Sequence, residues 1–197
     1  MDHKGAIDHI LDRLTTELSS HLLYHGHHHT LDVLEAAERI ANHEKVSAHE
    51  MKLLLVAAAY HDCGFLTSYV DHELAGCAIV QRTLPEYGFD QDDIDAICTM
   101  IMATKVPQDP RSRLANILCD ADLDYLGRDD FYPIANTLFE ELKYMGIVKE
   151  EQVWNRIQVK FLTAHIYHTT YSKDNREQVK LAHLAEVERI VESYPVQ

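Results

Sequence analysis

Three short segments of this chain concentrate side chains that bind metals or move protons: Tyr24-His25-Gly26-His27-His28-His29-Thr30, Tyr60-His61-Asp62-Cys63-Gly64 and Asp120-Ala121-Asp122-Leu123-Asp124. His25 and His29 stand four residues apart, so on a helix they share a face and both imidazoles can point at one site. His61-Asp62 closes the apolar run 53–60, where an unpartnered carboxylate is costly to bury. A divalent cation satisfies both that carboxylate and a neutral imidazole. Asp120 and Asp122 repel each other unless a cation or a proton intervenes. Each segment also has a plainer reading. The first is a solvated histidine-rich helix start, which suits His27 and His28; the second is a helix end that has reached water; the third is a set of loop acids or caps for the next helix.

The elements that must carry these groups read as helices nearly throughout. Ile7, Ile10, Leu11, Leu14 and Leu18 mark a first amphipathic helix, and Leu31, Leu34, Ala37, Ile40 and Ala41 a second. Ser47-Ala48-His49-Glu50 has the spacing of a capping box and opens an apolar helix over 51–60, with Gly64 placed to stop it. A helix over 74–84 ends near Pro85, and Asp90, Asp92 and Asp93 favour the start of another running through Ile94, Ile97 and Ile101. Two prolines within 106–110 break the chain before a helix that carries Leu114, Ile117, Leu118 and Ala121. Asp129 and Asp130 can cap a segment holding Ile134, Leu138 and Leu142, with Gly146 beyond its end. Two long helices are predicted over 150–168 and 175–193. No stretch alternates with a period of two. The expected fold is all-α: a single-domain helical bundle over 1–197, with a metal-binding core at about 20–130 and closing helices at about 130–195.

Bulk properties narrow the partners. The chain has 197 residues, 46% hydrophobic and 25% charged, enough to bury a core without staples. A net charge of −14 argues against a nucleic-acid polymer, which needs a basic stripe to release counterions. A small anionic substrate stays open, because a bound cation reverses the local field. Lys105, Arg111, Arg113 and Arg128 fall mid-chain and can serve such a site, or simply be solvated. Cys63, Cys77, Cys98 and Cys119 sit in apolar stretches without a CxxC pair, as small hydrophobes do in a reducing compartment. The first residues lead into an amphipathic pattern, so no secretory leader is expected. No apolar run nears the roughly 20 residues of a membrane span. A soluble, cytoplasmic protein is the expectation.

Taken together, the three segments resemble the signature motifs of the HD superfamily of metal-dependent phosphohydrolases. Tyr24-His25 through His29-Thr30 and Val33 is similar to the opening motif, Ala57-Ala58-Ala59-Tyr60-His61-Asp62-Cys63-Gly64 to the name-giving one, and Ala121-Asp122-Leu123 to the closing one. The resemblance covers about residues 20–130 and implies a phosphodiesterase-like helical fold. It implies His29, His61, Asp62 and Asp122 as metal ligands, with Asp120 and Asp124 orienting them. His25 occupies the position that protonates the leaving group in the cyclic-nucleotide branch; a structural histidine is the alternative. His72 lies where relatives with two metals hold a second ion, and it can equally contact a phosphate or cap its helix. Thr104 and Lys105 stand where a further histidine is found in those relatives. His165, His168, Arg176 and Lys180 can line a pocket between the last helices, or serve structure alone.

The implied activity is hydrolysis of a phosphomonoester or phosphodiester, of a nucleotide or another small phosphorylated metabolite. The ligand set suits Mn²⁺, Fe²⁺, Co²⁺, Ni²⁺ or Zn²⁺, with a largely hydrated Mg²⁺ as a further option, and one ion or two. Such an ion acidifies water, and Lys105 is a candidate to offset charge on the phosphoryl oxygens. Asp62 has a catalytic part as the ligand that can bridge two ions. Two other readings stay open: a regulatory module that binds metal or nucleotide without turnover, and a di-iron oxygenase, which needs more histidines than can be placed here. The final helices either close the bundle or offer a homodimer face.

Overall fold

The computed structural model describes residues 1–195. Its α-helices are α1 (His3–Glu17), α2 (His27–Glu44), α3 (Ala48–Tyr60), α4 (His72–Thr83), α5 (Gln91–Ala103), α6 (Arg113–Asp122), α7 (Phe131–Tyr144), α8 (Glu151–Ala164), α9 (Thr170–Asn175) and α10 (Glu177–Glu192). Three 3-10 turns, Cys63–Leu66, Leu84–Tyr87 and Asp124–Gly127, sit between them, and no strand occurs among the described residues. The fold is therefore all-α.

Local chemistry sets most of the helix starts. Asp2 accepts the Gly5 amide at 3.0 Å to open α1. The capping box at α3 is complete: the Glu50 amide donates to Ser47 Oγ at 3.2 Å and the Ser47 amide to the Glu50 carboxylate at 2.7 Å. Asp90 and Ser112 cap α5 and α6 in the same manner. α2 differs, since Gly26 takes its N-cap position and offers no side-chain acceptor.

Several boundaries depart from the periodicity. His25 precedes α2, so it does not share a helix face with His29. The helix predicted over 150–168 stops at Ala164, where His165 turns extended. The last predicted helix is broken at Arg176 into α9 and α10. Gly64 stops no helix, because α3 has already ended. A Cβ there would lie 1.8 Å from the His72 carbonyl oxygen, so glycine is needed to let the turn lie against the start of α4.

Packing then brings distant ends together. α1 to α6 share one apolar core that includes Ile10, Val33, Ile40, Leu54, Ile79, Ile97 and Leu118. α2 packs on both α3 and α6, and α3 packs on α6. The start of α2 thereby meets the C-terminal ends of α3 and α6. A second core, with Tyr24, Leu126, Phe131, Phe139, Trp154, Leu162 and Val187, forms where α7, α8 and α10 close over the turn Asp124–Gly127. The final helices thus complete the bundle. No helix among the described residues is long and apolar enough to cross a membrane.

Two acids that flank Asp122 join the halves. Asp120, fully buried, accepts the His168 and Thr169 amides at 2.8 Å and the Thr169 hydroxyl at 2.6 Å. Asp124, also fully buried, pairs with Arg39 at 2.7 Å on α2 and with Arg176 at 2.8 Å ahead of α10. Both carboxylates are occupied by these bonds, which corrects the expectation that they orient metal ligands. Arg176 is likewise taken up by Asp124. Lys180 is buried with its ammonium donating to the His165 carbonyl at 2.7 Å, so it too serves structure. Asp124→Ala leaves the guanidinium groups of Arg39, Arg176 and Arg128, the last 3.5 Å away, without their shared anion. It should cost about 3–5 kcal/mol, the range for breaking a buried ion pair. Urea unfolding measures this, and a loss below about 1 kcal/mol, the level of a surface pair, contradicts the clamp.

Candidate metal centre

Four side chains meet where α2, α3 and α6 converge. His29 projects from the first turns of α2, His61 caps the end of α3, Asp62 follows it, and Asp122 ends α6. His29 Nε2 lies 3.1 Å from Asp122 Oδ1, 3.4 Å from His61 Nε2 and 3.6 Å from Asp62 Oδ2. His61 Nε2 lies 3.2 Å from Asp62 Oδ2 and 3.5 Å from Asp122 Oδ1. An ion about 2.1 Å from each donor separates neighbouring ligand atoms by about 3.0 Å in an octahedron and about 3.4 Å in a tetrahedron. The spacings of the two imidazoles from each other and from each carboxylate fall around those two values, and His29, His61 and Asp122 all lie within 4.8 Å of one another.

The donor chemistry fits a cation as well as the spacing does. His61 Nδ1 donates to the Ala58 carbonyl at 2.8 Å, which leaves the Nε2 lone pair for the cluster. Asp62 Oδ2 is buried with no hydrogen bond of acceptable geometry, an orphaned anionic oxygen that an ion would satisfy. Without an ion, His61 carries balancing charge. Burial disfavours a charged His61, but Asp62 and Asp122 outweigh it and raise its pKa well above the usual histidine value. Burial pushes Asp122 upward, and bonds to His29 and His61 outweigh that and bring it down to about 2. A cation at this point replaces the protons.

The other oxygen of Asp62 faces a different neighbour. Asp62 Oδ1 lies 3.4 Å from His72 Nε2, and His72 is 3.5 Å from Glu73 at the start of α4. Asp62 therefore stands between the His29 and His61 imidazoles on one side and His72 on the other. Thr104 adds no ligand here, since its hydroxyl donates to the Ile101 carbonyl.

His25 reaches the same region from the loop before α2. Its Nδ1 sits 2.5 Å from Glu141 Oε1, and its ring lies 4.3 Å from that of Phe65, which stacks on His72 at 4.0 Å. Glu141 is fully buried on α7 and also accepts the Tyr24 amide at 2.8 Å, the His25 amide at 3.1 Å and the Tyr69 hydroxyl at 3.3 Å. Burial favours a protonated Glu141, yet the bonds from His25 outweigh it and hold the carboxyl below its ordinary pKa. The sequence reading missed Glu141. Beside Glu140 it looks like a surface charge, but it falls seven residues after Ile134 and three after Leu138, on the apolar stripe of α7.

Asp62, Asp122, His25 and His72 line one cavity of about 390 Å³. Lys105 lines it too, with its half-exposed ammonium 2.5 Å from Asp71, so the pair marks the mouth rather than the ligand cluster. His165 and His168 line a separate small cavity beside Leu123 and Phe161, outside the metal cluster.

Comparison with known proteins agrees with this geometry. The HD domain family model matches residues 26–124, half of the chain, and takes in all four cluster residues. A search of curated proteins returns no match. Two solved structures share the fold. One, from Lactobacillus plantarum, is 18% identical with a TM-score of 0.69, covering 98% of this chain and 100% of that one. The other, described as a predicted HD superfamily hydrolase from an uncultured Thermotogales bacterium, is 22% identical with a TM-score of 0.60, covering 95% and 92%. With the family model spanning the helix junction that carries its name-giving His61-Asp62 pair, the chain belongs to the HD-domain family.

Proposed function

We propose that the protein hydrolyses a small phosphoester with a divalent cation held by His29, His61, Asp62 and Asp122. The observation that carries this reading is the orphaned Asp62 oxygen within 3.6 Å of two imidazole nitrogens, in a carboxylate that opens onto a substrate-sized cavity. Membership in a family of metal-dependent hydrolases supports it. A bound divalent ion supplies two things there: it acidifies water, and it offsets charge on the phosphoryl oxygens.

The chain's own residues do the rest. The four ligands fix where the phosphoryl group sits, and burial of His61 and Asp62 keeps bulk water from competing. Glu141 takes the His25 Nδ1 proton in a hydrogen bond and leaves Nε2 facing the cavity. From there His25 can pass a proton to the departing alkoxide. Glu141 positions that imidazole and anchors the Tyr24 and His25 amides that aim it. His72, beside Asp62 Oδ1, is placed for a second ion or a phosphoryl oxygen. Lys105 contributes positive charge at the entrance.

Protein stripped of metal should be inactive on a panel of phosphomonoesters and phosphodiesters and regain turnover with Mn²⁺ or Co²⁺. Asp62→Ala should abolish the recovered activity, and turnover that survives this substitution ends the assignment. Glu141→Gln keeps the side chain's shape but weakens its hold on His25. It should lower kcat by about 10–100-fold, as loss of an orienting partner does, with metal affinity by titration calorimetry unchanged. A kcat within twofold of the parent protein shows that Glu141 is only a structural anchor.

A further inference from the structure

The cavity that begins at the ligand cluster does not end there. It continues into the second core and is walled by Leu126, Phe131, Leu138, Trp154, Phe161 and Leu162. A phosphate needs none of this apolar surface. Lys105, tied to Asp71 at the mouth, is the only lysine or arginine on the cavity wall, so no second phosphate is provided for. The surface therefore faces whatever the phosphate is esterified to.

One residue of the chamber wall carries a side-chain atom with no hydrogen-bond partner among the described residues. Gln158 lines the chamber from α8 and is more than nine-tenths buried. Its amide nitrogen is engaged on its own helix. Asn155 Nδ2 donates to the Tyr194 hydroxyl at 2.6 Å, which leaves Asn155 Oδ1 to accept Gln158 Nε2 at 2.9 Å. Gln158 Oε1 is then left buried and without a hydrogen bond. A native core rarely strands such an acceptor unless something else comes to meet it.

We infer that the alcohol half of the substrate is an apolar or aromatic group carrying one hydrogen-bond donor, with its body in the chamber and its donor on Gln158 Oε1. The inference rests on the hydrolase reading for the phosphate end alone. It separates this substrate from a sugar phosphate or nucleotide, whose several hydroxyls would enter a wall offering one free acceptor. A volume near 390 Å³, toward the lower end of the roughly 300–1,000 Å³ of small-molecule sites, limits the group to a ring or short chain.

Turnover of methyl phosphate, phenyl phosphate, 4-hydroxyphenyl phosphate and adenosine monophosphate by the Mn²⁺-loaded protein tests this. Phenyl should exceed methyl phosphate in kcat/KM by about tenfold or more, the discrimination an apolar pocket gives. The 4-hydroxyphenyl ester should exceed phenyl, and Gln158→Leu should bring that second ratio down toward one. Ala135→Phe, which fills the chamber from α7, should lower the phenyl-to-methyl ratio, so the inference does not depend on one variant folding. Equal values for methyl and phenyl, or a preference for adenosine monophosphate, overturn it. Trp154, the single tryptophan, lies in the wall and reports occupancy without turnover. Saturable change in its emission with 4-hydroxyphenol alone supports the chamber even if no ester is cleaved, an outcome that removes only the hydrolase reading. No saturable change with this phenol or with phenylphosphonate overturns the chamber.

Discussion

His29, His61 and Asp122 bring donor atoms within 4.8 Å of one another at a buried junction of helix ends, with Asp62 3.2 Å from His61 and 3.6 Å from His29, and most of the remaining structure answers to that crowding. Burial alone would protonate both acids. Charge on His61 holds Asp62 below the ordinary carboxylate pKa, and bonds to His29 and His61 hold Asp122 there too. A divalent cation bound here would take over that support. The apolar helix ending at Tyr60 is what delivers His61 and Asp62 so deep, and Gly64 lets the chain turn away at once against α4.

A centre assembled from three helix ends needs those helices held in register. The chain uses two further acids for this, on either side of Asp122. Asp120 holds the loop that leads into α9, and Asp124 ties α2 to the segment that leads into α10. Positions 120, 122 and 124 thus serve three different tasks along one short stretch of chain. Asp122 turns to the ligand cluster, while its neighbours spend their charge on backbone amides and guanidinium groups. The close approach at Gly127, where a Cβ would meet the Arg176 carbonyl at 2.4 Å, shows how tightly this seam is drawn.

The second core gives the site what the first cannot. α7 carries Glu141 to the His25 ring, and α7 and α8 provide the chamber that extends the cavity away from the ligands. The four converging side chains thus come from α2, α3 and α6, while the apolar part of the cavity comes from α7 and α8 with the turn before them.

The sequence by itself determined the helices, through apolar periodicity and caps such as Ser47-Glu50, and it singled out the four converging side chains, because His29, His61-Asp62 and Asp122 stand in motifs whose order is local information. It was silent on contacts made across the chain. Glu141 meets His25 at a separation of 116 residues, and nothing in its neighbours announces that an acid beside Glu140 is buried. Asp120 and Asp124 look like Asp122 in sequence; only the partners that packing brings, the His168 amide and Arg176, divide their roles. The chamber and the stranded oxygen of Gln158 exist only once α7, α8 and α10 have closed. Spacing along a chain fixes which face a side chain occupies, while burial and partnership depend on what folds against that face.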